Sequence, residues 1–355
     1  MTKKPKQYYN FLDDLDQYPD AWCYVVWSMR GPGKTYGTLL GGLERKHRII
    51  YLKRLKDDVN MIMTEFNGTD LSPYKPINRD TDHNVRPVKL RDGIGLFHEF
   101  ADDGPLGPPV AYCLSLSQVS KYKGFDLSDC DWIVFDEFLP QLGEKISRKE
   151  GEQLMDLVLT CNLDRELRGR ESIKLILFAN ATNVSTPVTN ILEITDDMAD
   201  MDNQKIEYMY LEDRGILLHR LPPNKYNRHV EKTGIYKAMA NTAWGRMAFG
   251  SQFGYNDFSN TGKLQMKELR PLIHLHYKNS DYYIYQRKTD QKFYMTYSAS
   301  SKCPDHYDLN RENDQKRFYT DWYFDLRQEC IHDNMIFEKY TMYDLIINYK
   351  QFFVL

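Results

Sequence analysis

Five short apolar runs stand out in the first two thirds of the chain: Trp22–Trp27 (WCYVVW), Arg48–Leu52 (RIIYL), Ala111–Leu116 (AYCLSL), Trp132–Phe135 (WIVF) and Ile173–Phe178 (IKLILF). Each is bounded by polar or turn residues and is too short for a helix, so each predicts a strand. Helical stretches fall between them, the alternation that a parallel α/β sheet requires. In Arg148–Asn162, residues Leu154, Leu157, Val158 and Cys161 recur at i, i+3, i+4 and i+7. That stripe predicts an amphipathic helix packed on the sheet.

Around Asp196–Asp202 the chain turns acidic, and Lys205–Leu221 then predicts two strands about the turn Asp213-Arg214-Gly215. Pro222-Pro223 closes this part, so residues 1–226 are expected to form one α/β domain. Residues 227–256 carry a helical Ile235–Met247 segment that ends in GSQFG, and are expected to form a helical linker. From Leu272 the pattern changes to period two (LIHLHY, DYYIYQ, KFYMTY), followed by helical stretches near Asp321–Glu329 and Tyr343–Phe352. Residues 257–355 therefore predict a small α+β domain with an antiparallel sheet.

Composition narrows the class. A chain of 355 residues suits two domains, and 42% hydrophobic residues with 26 tyrosines supply packed cores. The net charge of −3 means that contact with nucleic acid must come from local patches, not from an overall basic field. Cys23, Cys113, Cys130, Cys161, Cys303 and Cys330 are scattered without a C-x-x-C pair, which suits a reducing cytoplasm. The N-terminus is polar and no run reaches the ~18 apolar residues of a membrane helix, so a soluble protein without a membrane partner is expected.

The most specific chemistry lies at Ser28-Met29-Arg30-Gly31-Pro32-Gly33-Lys34-Thr35, which follows a predicted strand and opens a helical stretch. This is the setting of a Walker A phosphate loop. Backbone amides and the helix N-terminus would face the phosphates of ATP, Lys34 would add a full positive charge, and Thr35 would offer its hydroxyl to Mg²⁺. Two features depart from the motif: Ser28 stands in place of the first glycine, and Pro32 removes one amide donor. Ile133-Val134-Phe135-Asp136-Glu137 is an apolar strand ending in two acids, expected beside the phosphate-loop strand. Asp136 would hold Mg²⁺ through water and Glu137 would polarise the attacking water. An adjacent catalytic glutamate favours hydrolysis over transfer to a substrate. A further strand ends in Ala179-Asn180-Ala181, placing Asn180 as a γ-phosphate sensor or as an ordinary turn residue.

Arg165, Arg168 and Arg170 crowd a loop around Gly169. At a domain edge such an arginine would reach a neighbouring subunit's nucleotide rather than its own, implying a ring; a solvated basic loop reads the same way. Between Arg45 and Lys56 stand six Lys/Arg and His47 with no acid. Lys53, Arg54 and Lys56 could grip DNA phosphates, or form a solvated helix end. Lys121 and Lys123, before the acidic strand, share that ambiguity. In the last domain the first strand, Leu272–Tyr277, carries His274 and His276 and no acid, while Asp281, Asp290, Asp305 and Asp308 fall in expected turns. That domain is not expected to cut DNA, since a nuclease converges carboxylates on metals. The two histidines could bind a metal, although such a strand pair is more often structural.

Together, RGPGKTYG, IIYLKRLK, WIVFDEF, LMDLV with the arginine loop, and FANA resemble, in order and spacing, the DNA packaging motor ATPases of short-tailed phages with small protein-primed genomes. Beyond them the likeness is loose, through WGRMAFGSQF. The resemblance implies an ASCE P-loop ATPase forming a homopentameric ring. The ring would dock on the prohead portal through a prohead RNA, in the host cytoplasm, and drive double-stranded DNA into the capsid. It assigns Lys34 and Thr35 to the phosphate loop, Asp136 and Glu137 to the acidic pair, Arg168 to action in trans, and Lys123 to a second trans-acting role; the residues themselves leave open which of Arg165, Arg168 and Arg170 acts in trans, Arg170 being a further candidate. It also makes the C-terminal domain similar to an RNase H-like nuclease that has lost its catalytic acids. A large terminase subunit with an active nuclease and a nucleotide-dependent virion assembly protein are the rival readings.

Overall fold

The computed structural model describes residues 8–66, 69–122, 124–141, 144, 146–163, 165, 168–180, 183–222, 232–242, 245, 253 and 258–349. The chain divides into two compact units, Met1–Glu193 with Met201–Asn256, and Ile194–Asp200 with Asp257–Leu355.

The five apolar runs become the interior of the first unit. Its strands are β1 (Cys23–Ser28), β2 (Ile49–Lys53), the short β3 (Glu65–Phe66) and β4 (Thr69–Asp70), β5 (Val85–Arg91), β6 (Ile94–Ala101), β7 (Gly104–Pro105), β8 (Ala111–Ser115), β9 (Trp132–Asp136), β10 (Lys174–Asn180), β11 (Tyr208–Leu211) and β12 (Ile216–Arg220). The main sheet runs β11-β12-β1-β10-β9-β2-β8-β6-β5. From β12 to β8 every pairing is parallel; β11 closes one edge and the β5–β6 hairpin the other, both antiparallel. Every residue of β1 is buried, as a parallel strand covered on both faces must be.

One expectation is overturned. The acidic strand β9 does not lie beside the phosphate-loop strand β1, because β10 is interposed and pairs with both. The cause is burial: Leu175 to Ala179 of β10 are all buried, which only an interior strand allows. Parallel pairing then brings the C-terminal ends of β1, β10, β9 and β2 to one side of the sheet, where ligand crevices form in open α/β folds.

The helices of this unit are α1 (Phe11–Gln17), α2 (Lys34–Glu44), α3 (Lys56–Ile62), α4 (Lys75–Asp80), α5 (Glu150–Asn162), α6 (Pro187–Ile191), the last four residues of α7 (Thr195–Gln204), whose Thr195–Asp200 belong to the second unit, and α8 (Gly234–Met239). Helix α5 buries Leu154, Leu157, Val158 and Cys161, the expected stripe. The expected helix Ile235–Met247 is present as α8, with residues 240–242 in a turn and most of its remainder outside the described residues. Asn10 caps α1 by accepting from the Leu12 amide at 3.2 Å. Helix α1 is then fastened to β12 by a buried cluster in which Asp14 Oδ2 accepts from Tyr9 OH at 2.8 Å and lies 2.7 Å from His219 Nδ1.

The second unit holds β13 (Leu269–Tyr277), β14 (Ser280–Arg287), β15 (Phe293–Thr296), β16 (Asp305–Asp308) and β17 (Met335–Phe337), in the order β16-β13-β14-β15-β17. Strands β13 to β15 form an antiparallel meander, with β16 parallel to β13 and β17 parallel to β15. Helices α9 (Glu312–Phe318) and α10 (Phe324–Ile331), joined through a π-helical turn, and α11 (Tyr340–Ile347) complete it. The acidic run has a partner here: Asp196 accepts from the amide and hydroxyl of Thr341 at 2.9 and 2.8 Å, and Asp200 accepts from Lys339 Nζ at 2.8 Å.

Three carboxylates expected in turns lie on strands instead, Asp281 on β14 and Asp305 and Asp308 on β16; Asp290 is in a turn. Each strand carboxylate has protein donors. Asp281 Oδ1 lies 2.8 Å from His274 Nε2 and 2.9 Å from His276 Nδ1, Asp305 accepts from Trp322 Nε1 at 3.0 Å, and Asp308 accepts from Asn310. Among the described residues no helix is long and apolar enough to cross a membrane.

Candidate active site at the strand ends

Ser28 is the last residue of β1, and Lys34 the first of α2, so residues 29–33 must reverse the chain within five positions. Gly31 and Gly33 both take φ +89°, backbone that an L side chain resists, and Gly33 serves as the helix N-cap. The loop is braced from behind by the N-terminal segment. Tyr9 N–H donates to the Pro32 carbonyl at 2.9 Å, and a Cβ on Gly37 would stand 2.5 Å from the Tyr9 carbonyl oxygen. The Pro32 carbonyl is thus held on the N-terminal segment.

Lys34 is buried and its Nζ donates to Ser28 Oγ at 2.5 Å, so the residue that departs from the motif is the one the lysine touches. Burial lowers the Lys34 pKa to about 8, against the opposing pull of Asp136 and Glu137. Phosphate binding needs the cation. Proton loss with rising pH therefore weakens it, and affinity for MgATP is expected to fall as pH rises through about 8; a pH series of binding titrations checks this.

Asp136 ends β9, and its Oδ2 accepts from Thr35 Oγ1 at 2.9 Å and from Tyr51 OH at 3.1 Å. Two hard oxygen donors side by side fit Mg²⁺, which takes oxygen ligands and keeps several waters. Tyr51 was not anticipated. It lies within the apolar run of β2, where nothing distinguishes a site tyrosine from a core one. Burial, then the Asp136 charge, pushes its phenol well above the usual range and keeps it a neutral donor.

Glu137 follows with φ +59°, a left-handed conformation rare outside glycine. The next residue fixes it: Phe138 N–H donates to the Phe178 carbonyl of β10 at 3.0 Å, and Arg54 Nη2 donates to the Phe138 carbonyl at 2.7 Å. The Glu137 side chain is half exposed, with Lys53 Nζ 3.5 Å from Oε2. Asn180, at the end of β10, is in register with Ser28.

These strand ends line two adjoining cavities of about 500 and 380 Å³ that share Arg30, Asp136, Glu137 and Asn180. The larger includes Gly31 to Thr35 and Tyr51; the smaller includes Lys53, Arg54 and Glu144. Each is large enough for a small ligand.

The basic stretch expected to grip DNA is dispersed. Arg45 pairs with Asp16, Arg48 with Asp129, His47 faces Asp131, and Lys53 faces Glu137. Arg54 is no surface cation at all. It is buried, bonded to Glu150 at 2.8 and 3.2 Å and to Glu144 at 2.9 Å, and so is withdrawn from any duplex. Removing one partner of a buried pair strands the other charge, so Arg54→Ala is expected to cost ~3–5 kcal/mol of stability in denaturant unfolding. Lysine should not rescue it, lacking the fork that holds Glu150 and the Phe138 carbonyl together. Lys56 opens α3 and is exposed.

The arginine loop is likewise sorted by burial. Arg165 is buried and donates to the carbonyls of Glu171, Ser128 and Cys130 and to Asp131. Although burial opposes it, His47, the Arg48 amide and Arg165 together hold the Asp131 carboxyl down at about 2. Arg170 is anchored on the Ser128 carbonyl at 2.8 Å. Arg168 is exposed, one residue before Gly169 at φ +70°. Lys121 is exposed at the end of a 3₁₀ turn that buries Leu116 and Val119, and Lys123 lies outside the described residues.

No model of a known protein family matches the chain, and no curated protein does. Solved structures do share its fold. The chain is similar to the bacteriophage Phi-29 viral genome packaging motor assembly, with a TM-score of 0.64 and 17% identity over 98% of both chains. It is similar also to the Phi-28 gp11 DNA packaging motor, with a TM-score of 0.56 and 18% identity over 94% of both. At such identities the likeness is one of fold.

Proposed function

We propose that this chain is an ATP-hydrolysing motor that works as a homo-oligomeric ring and drives double-stranded viral DNA into a preformed prohead. The observation that carries the reading is the convergence of Lys34, Thr35, Asp136, Glu137 and Asn180 on one cavity wall at the ends of three adjacent strands. The fold shared with two phage packaging motors along nearly the whole chain supports the viral setting. The strand interposed between β1 and β9 supports the ASCE branch, since it brings a third strand end, with Asn180, beside the acidic pair.

Thr35 and Asp136 would hold Mg²⁺, which neutralises charge on the phosphates when bound. Lys34 and the loop amides bind the phosphates, Glu137 polarises the attacking water, and Asn180 senses the γ-phosphate. Arg168 acts on a neighbour's nucleotide, while Arg165 and Arg170 hold the loop that carries it. Lys56 remains for DNA; Lys53 belongs to the nucleotide side. The second unit reads as an RNase H-like domain without nuclease activity, which the β13–β15 meander with β16 parallel to β13 supports. A pentamer docked on the portal through prohead RNA, in the host cytoplasm, completes the proposal.

The test is a packaging assay with proheads, in which DNA is challenged with nuclease after incubation with the chain and ATP. ATP-dependent protection of DNA is expected. ATPase activity indifferent to DNA, with no protection, would sink the motor reading.

A further inference from the structure

We propose that the nucleobase is stacked between Tyr36 and the prolines Pro73 and Pro76, in a purine slot that discriminates weakly between adenine and guanine. The inference rests on the phosphate-loop reading and extends it to the other end of the nucleotide. The cavity of about 500 Å³ has two chemically distinct parts. One is charged and carries Lys34, Thr35 and Asp136, with Tyr51 turned onto the aspartate. The other is formed by Tyr36, Pro73 and Pro76.

The chain builds this second part deliberately close to the first. Tyr36 directly follows Thr35 in the first turn of α2, and both line the same cavity. Helix α4 packs on α2 and carries Pro76 in its own first turn, while Pro73 precedes it. Tyr36 is half-buried and packs against the core, and the Tyr8 ring lies 6.3 Å from it, which limits its rotation. A tyrosine ring and two apolar proline rings lining one end of a cavity offer a surface on which a planar base can stack.

The weak discrimination follows from the donors present. Proline side chains offer no hydrogen-bonding group, and among the described residues lining this end of the cavity the polar side chain is that of Tyr36, whose hydroxyl can donate or accept. It suits the exocyclic amine of adenine and the carbonyl of guanine alike. Strong rejection needs buried polar groups that the wrong base would leave unpaired.

The test compares MgATP, MgGTP and magnesium tripolyphosphate, which lacks a base, as ligands of the full chain. Wild type is expected to bind all three, with ATP and GTP within about tenfold of each other. Tyr36→Ala should weaken both nucleotides by about tenfold and leave tripolyphosphate unchanged. Tyr36→Phe should keep ATP binding. Tripolyphosphate is the control for a damaged loop: if Tyr36→Ala weakens it as much as ATP, or weakens neither, the base slot is wrong. Lys34→Ala should lose all three ligands; if it loses none, the phosphate-loop reading itself fails.

Discussion

Glu137→Gln is expected to leave MgATP binding intact and to lower the rate of hydrolysis by about 10²–10⁴-fold, the range a general base contributes. Asp136 is tied to Thr35 and Tyr51, so it faces the phosphate loop. Glu137, one residue on, leaves the strand at φ +59° and reaches the cavity with its carboxylate half exposed. The amide and carbonyl of Phe138 are both bonded, to Phe178 and to Arg54, so that unusual turn is locked. Glutamine keeps the shape and loses the base. Equilibrium binding alongside single-turnover hydrolysis separates the two effects; a proportionate loss of binding would point to a structural role.

Arg168→Ala is expected to cost about 10³–10⁵ in the rate of the assembled ring, as for other arginines supplied to a γ-phosphate. The same substitution should leave the stability of the isolated chain nearly unchanged, because Arg168 is exposed. Arg165→Ala should lower stability, and should lower the rate of the ring only through that loss, because Arg165 anchors the loop that carries Arg168. Its guanidinium fills a buried site among the carbonyls of Ser128 and Cys130 and the Asp131 carboxylate, so its loss unfolds the loop's anchor first. Unfolding curves beside ATPase rates of the two variants distinguish them, and a stable, fully active Arg168→Ala ring would remove the assignment.

Much of this site is legible in the amino-acid sequence. The residues between Ser28 and Thr35 declare themselves because few sequences need two left-handed glycines between a strand and a lysine-led helix. The central strands were legible for a related reason: burial on both faces leaves continuous apolar runs such as WCYVVW. The β5–β6 hairpin carried a signal too, Asp92-Gly93 with Gly93 at φ +76°, but its charged alternation marks a sheet edge and hides among loop residues. What stayed hidden was pairing. Arg54 looked like a DNA cation because its partners, Glu144 and Glu150, lie some ninety residues away in the chain. Strand order was hidden likewise, since β10 gains its place between β1 and β9 through contacts that local pattern does not record.

Sharing of the site between neighbours is the central claim, and one mixing experiment addresses it directly. Glu137→Gln and Arg168→Ala chains, each inactive alone, are combined before assembly and the ATPase rate is measured. If Arg168 serves the adjacent subunit, an Arg168→Ala chain next to a Glu137→Gln chain regains one complete site, and activity returns in the mixture. If Arg168 serves its own nucleotide, every site in the mixture lacks one group, and the rate stays at the level of the separate variants.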